Sequence, residues 1–130
     1  MSPGLAASAA VLFVVLMVGL IVFQAALVAG APFGRLAWGG QDRVLPVRKR
    51  LGSVVSIGLY LIFAVLVLQR AGLATVLPWP GFVEVAVWVL AGYFTLGVVL
   101  NGLSRSRPER WTMAPLCAVL AALTLIVALS

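Results

Sequence analysis

LAASAAVLFVVLMVGLIVFQAALVA, residues 5–29, is an apolar run broken only by Ser8, Gly19 and Gln24. A helix rising 1.5 Å per residue needs about 20 residues to cross a hydrocarbon core of about 30 Å, so this run is long enough to span a membrane. A cleaved secretory signal is the competing reading. It calls for a positively charged segment ahead of a shorter apolar stretch, and the residues before Leu5 supply no such charge. Three further runs of the same kind follow at about 51–68, 82–103 and 111–129. The sequence therefore predicts an all-α integral membrane four-helix bundle, a single transmembrane domain over residues 1–130 built from two helical hairpins.

Composition agrees. Of 130 residues, 64% are hydrophobic and 9% charged, against about 25% charged in a soluble domain. The formal net charge of +6 does not point to nucleic acid, because the cations cluster in short links between apolar runs instead of along a solvated face. Arg35, Arg43, Arg48, Lys49 and Arg50 precede the second span, and Arg105, Arg107 and Arg110 precede the fourth; the middle link has only Arg70 at its edge. The positive-inside rule then places the first and third links in the cytoplasm and both termini outside, in a bacterial inner (plasma) membrane. The middle link, LPWPGF, holds Pro78, Pro80 and Gly81, a combination expected to stop helices and force a tight outer turn.

The link GAPFGRLAWGGQDRVLPVRKR, residues 30–50, is the most distinctive stretch. Gly30 and Pro32 are expected to end the first helix. Phe33, Leu36 and Trp38 interleaved with Arg35 suit a chain lying in the membrane interface. Arg35, Trp38, Arg43, Arg48, Lys49 and Arg50 are thus candidates for contact with anionic lipids or a membrane-protein partner. A phosphate-binding loop is not indicated, since GxxxxGK followed by Ser or Thr does not occur.

Within the spans, small residues spaced by four mark candidate packing faces: Ala114, Ala118 and Ala122; Gly52 and Ser56; Gly97 and Asn101. Such faces serve either the bundle itself or a homo-oligomer. Gln24 and Asn101 are amides among apolar neighbours, candidates for an interhelical bond or for a polar path. Tyr60, Tyr93, Thr95 and Trp88 are candidates for lining a pocket for a lipid-like molecule. Glu84 is expected near the outer end of the third helix, paired with Arg70 across the turn. The basic link and amide recur in each half, which raises the reading of a weak internal duplication. There is no histidine, the single cysteine is Cys117, and no acidic residue falls at the middle of a span. These features argue against a catalytic site, a resident metal or other cofactor, and a proton-coupled pump.

The pieces GAPFGRLAWGGQDRVLP, RKRLGSVVS and NGLSRSRPERWTMAPL resemble a family of uncharacterised small bacterial four-span membrane proteins with a GAPxGxxAWGGQ-like cytoplasmic link. The likeness covers both basic links and their flanking helix ends, about half the chain, and implies topology without implying an activity. Small multidrug exporters are similar in length and span number, but they use a membrane-embedded glutamate in the first helix that this chain lacks. The polar track of small fluoride channels and the intramembrane acids and histidines of sterol-isomerase-like proteins likewise have no counterpart. The expected function is that of a non-catalytic accessory or lipid- or partner-interacting membrane protein. The alternative is a small oligomeric transporter or channel for an uncharged or lipophilic solute.

Overall fold

The computed structural model describes residues 2–130 and contains four long helices: α1 (Pro3–Val28), α2 (Val47–Arg70), α3 (Pro80–Gly102) and α4 (Arg107–Leu129). Each is long and apolar enough to cross a membrane, and no strand occurs among the described residues. Each helix packs on its sequence neighbour, and α1 also packs on α4, which closes an up-and-down ring. The α2–α3 contact is the least extensive of these four. The chain is a multi-pass integral membrane protein by length, composition and packing.

An apolar helix in lipid has no polar face to turn outward, so its inward face is set by fit. Here it follows a 3.5-residue repeat. In α1 the buried stripe is Ala6, Ala10, Phe13, Met17, Leu20, Gln24 and Leu27. In α3 it is Val83, Val87, Leu90 and Phe94, continued by the half-buried Gly97 and Asn101. In α2 it runs through Ser53, Ser56, Tyr60, Phe63 and Val67, and in α4 through Met113, Cys117, Leu120, Thr124 and Val127. Steps of three and four residues keep one seam on a neighbour along the whole helix. The alanines Ala118 and Ala122 fall off this seam and face outward, so the bundle does not use the expected Ala114–Ala118–Ala122 stripe as its interior face.

The helices outrun the apolar runs at several ends. α2 begins at Val47, so Arg48, Lys49 and Arg50 form its first turn instead of preceding it. Pro80 and Gly81 open α3 instead of belonging to the turn, as suits a proline, whose missing N–H is no loss at a helix start. The α2–α3 turn is secured by Gln69: its Oε1 accepts from the Val76 and Leu77 N–H groups at 3.0 and 2.8 Å, and its Nε2 donates to the Leu77 carbonyl at 2.7 Å.

Candidate functional site: a basic cap over a cavity

Charge divides the molecule into two ends. The 30–50 and 103–106 links lie together, with Arg35, Arg43, Arg48, Lys49, Arg50, Arg105, Arg107 and Arg110 against only Asp42 and Glu109. The opposite end carries Arg70 and Glu84. One end thus holds the whole formal charge of +6, and the other is neutral.

The first link is a folded cap. Gly30, at φ +94°, closes α1, with the Ala31 N–H reaching the Ala26 carbonyl at 2.9 Å. The Gly34 N–H donates to the Arg43 carbonyl at 2.8 Å and draws the loop shut. Two short 3₁₀ turns follow, Gly34–Leu36 and Trp38–Gly40. Trp38, Gly39 and Gly40 have φ of 54°, 75° and 72°, three consecutive left-handed residues that reverse the chain. A side chain on Gly40 would run into the Ser106 side chain. That close approach lets Ser106 Oγ donate to the Arg35 carbonyl at 2.5 Å, joining the two basic links. On the other flank, Lys49 Nζ pairs with Asp42 Oδ2 at 2.5 Å and donates to Gln41 Oε1 at 3.2 Å. Arg50 Nε donates to the Leu45 carbonyl at 2.7 Å.

These contacts divide the expected lipid- or partner-binding residues. Lys49 and Arg50 are engaged within the cap. Arg35, Arg43 and Arg48 are exposed, as are Arg105 and Arg107, and none of the five has an acidic partner within 4.0 Å among the described residues. Trp38, expected at the lipid interface, is 42% exposed and packs one edge on α2. Its Nε1 donates to Ser53 Oγ at 3.3 Å, and a Cβ added to Gly52 would sit 2.6 Å from its ring.

Beneath Trp38 lies a cavity of about 300 Å³ between the basic halves of the helices. Gln24 and Asn101 both line it, as do Tyr60, Tyr93 and Cys117, whereas Thr95 and Trp88 do not. The two amides share this space without bonding to each other. Asn101 Nδ2 donates to the Gly97 carbonyl at 2.8 Å and to Cys117 Sγ at 3.5 Å. Gln24 is 7% exposed, and its Oε1 is enclosed with no hydrogen-bond partner among the described residues. Below the cavity the middle of the bundle is packed, with Phe13, Met17, Val67, Val83, Val87 and Val127 each at most 2% exposed, and an open pocket of about 700 Å³ lies at the α2–α3 turn, beside Gln69, Arg70 and Glu84.

The expected Arg70–Glu84 pair is not formed. Arg70 instead donates to the Ala128 and Ser130 carbonyls at 3.2 and 2.7 Å. The reason is the end of α4, whose last carbonyls have no intrahelical partner and attract a cation. Sequence reasoning passed over Glu109, which is 6% exposed and faces the Gly39 N–H and Ser104 beneath the cap. It also missed Ser106 as the cap of α4. The signal was present as SRPE, a Ser with Glu three residues on ahead of an apolar run. Among the described residues, no three His, Cys, Asp or Glu side chains gather as metal ligands do.

The chain matches no protein-family model, no curated protein and no solved structure.

Proposed function

We propose that this is a non-catalytic, lipid-interacting protein of a bacterial inner membrane, with its basic cap on the cytoplasmic side engaging anionic headgroups. One observation carries the reading. Arg35, Arg43, Arg48, Arg105 and Arg107 stand exposed without acidic partners on two links that are fixed to each other and on the helix starts of α2 and α4 that follow them. Each cation near an anionic surface gains about 1 kcal/mol, and a cap already folded loses little freedom on binding. The sidedness follows from the same charges by the positive-inside rule. The likeness of the cap sequence to small four-span bacterial proteins belongs to this reading too. The packed middle of the bundle favours binding over conduction, because a path through it would have to pass Phe13, Met17 and Val67.

Native mass spectrometry of protein released from mixed phosphatidylglycerol and phosphatidylcholine vesicles tests the proposal. Phosphatidylglycerol is expected to be retained selectively. The selectivity should vanish when all five arginines become glutamine, while Lys49→Gln lowers stability instead. Equal retention of the two lipids by the unaltered protein would refute it.

A further inference from the structure

The cavity beneath Trp38 plays no part in the contacts of the basic cap with headgroups. We propose that it binds a compact, uncharged lipophilic alcohol or phenol that enters from the membrane, with the hydroxyl held by the Gln24 carboxamide. At about 300 Å³ it lies at the lower end of the range of small-molecule pockets, about 300–1,000 Å³. No ionisable acid or base of the Asp, Glu, Lys, Arg or His type lines it, which disfavours a charged ligand in so apolar a setting.

Gln24 is the one polar side chain of the lining that is buried. Its Oε1 has no partner among the described residues, and leaving such a group unpaired in a buried setting is costly. Two neighbouring groups are already used, Asn101 Nδ2 on the Gly97 carbonyl and Ser56 Oγ on the Gly52 carbonyl at 3.0 Å, while the Tyr60 hydroxyl lies beside the carboxamide in the same wall. The terminal torsion of a glutamine is broad and soft, so the carboxamide turns readily toward a group brought into the cavity. A hydroxyl both donates and accepts, which matches the oxygen and the nitrogen of one carboxamide. Around it the wall is aromatic. Phe23, Trp38 and Tyr60 line it with Phe94, which lies edge-on to Tyr93 with ring centroids 5.2 Å apart, and such faces and edges suit a ring or short hydrocarbon.

The route in is lateral. Tyr93, Leu96 and Leu100 line the cavity yet are 51%, 55% and 60% exposed on the outer surface of α3. Tyr93 meets Phe63 of α2 across the seam that is the least extensively packed in the ring. A molecule dissolved in the bilayer therefore reaches Gln24 without crossing the basic cap.

Cys117, in the wall and the only cysteine of the chain, reports occupancy through its rate of alkylation by N-ethylmaleimide in nanodiscs. 4-Propylphenol is expected to slow that rate saturably. Propylbenzene, at the same concentration in the bilayer, should bind about tenfold more weakly for want of the hydroxyl. Thermal stabilisation by the same two compounds is measured in parallel, so the answer does not depend on how fast the thiol reacts. In Gln24→Leu, checked for native helicity and melting, the two compounds should become equivalent. Equal effects of phenol and hydrocarbon on the unaltered protein would overturn the proposal, as would saturation by neither. Persistent discrimination in Gln24→Leu would overturn the role of Gln24, and should that variant not fold, the comparison on the unaltered protein decides.

Discussion

Trp38 is the one described residue other than glycine with a positive φ, a conformation that costs a residue with a Cβ roughly 1–2 kcal/mol. Its indole is held over the cavity by Ser53 and by the bare surface of Gly52. Gly52→Ala should dislodge the ring, because its methyl would lie 2.6 Å from the indole. Severalfold faster alkylation of Cys117, with the helices intact, is the expected sign. Gly30 was legible as a helix stop. That Gly52 is the seat of Trp38 was not, since the two are brought together only by the folding of the cap onto α2.

At the scale of the element, α4 shows how a helix start joins two links. Ser106 accepts from the Glu109 N–H at 3.5 Å and donates to the Arg35 carbonyl. Ser106→Ala removes both bonds and should lower stability by about 1–2 kcal/mol, measured by reversible unfolding in mixed micelles. About two turns further in, Pro115 stands inside the helix and deprives the Trp111 carbonyl of its usual donor. The existence and number of the helices were legible because each run exceeds the length needed to span. Their inner faces were less so. In a helix that is apolar all round, the few polar side chains are the guide, and they did mark Gln24 and Asn101 as inward. The alanine stripe does not serve the bundle interior, because small size alone does not distinguish a face turned to a neighbouring helix of the same chain from one turned outward. Helix starts were misplaced at α2 because charge was taken to exclude helix, whereas Arg48, Lys49 and Arg50 extend α2 beyond its apolar part.

At the scale of the whole molecule, the interior has two characters. Its middle is packed around Phe13, whose ring meets Phe94 edge-on with centroids 5.8 Å apart, and the basic half encloses the cavity. Phe13→Ala should therefore cost on the order of 3 kcal/mol in the same unfolding assay. This division could not be read from composition, since both halves of every span are strongly apolar. It arises from which side chains the 3.5-residue repeat brings inward. The charge division, by contrast, was written plainly in the links. It has an electrical consequence. Carrying one elementary charge through a potential of 100 mV changes the energy by about 2.3 kcal/mol, so for a formal charge of +6 at one end the two orientations differ by about 14 kcal/mol. In a membrane energised so that the cap lies on its negative side, the voltage itself would favour that orientation, and loss of the voltage would remove the preference without touching a single contact in the fold.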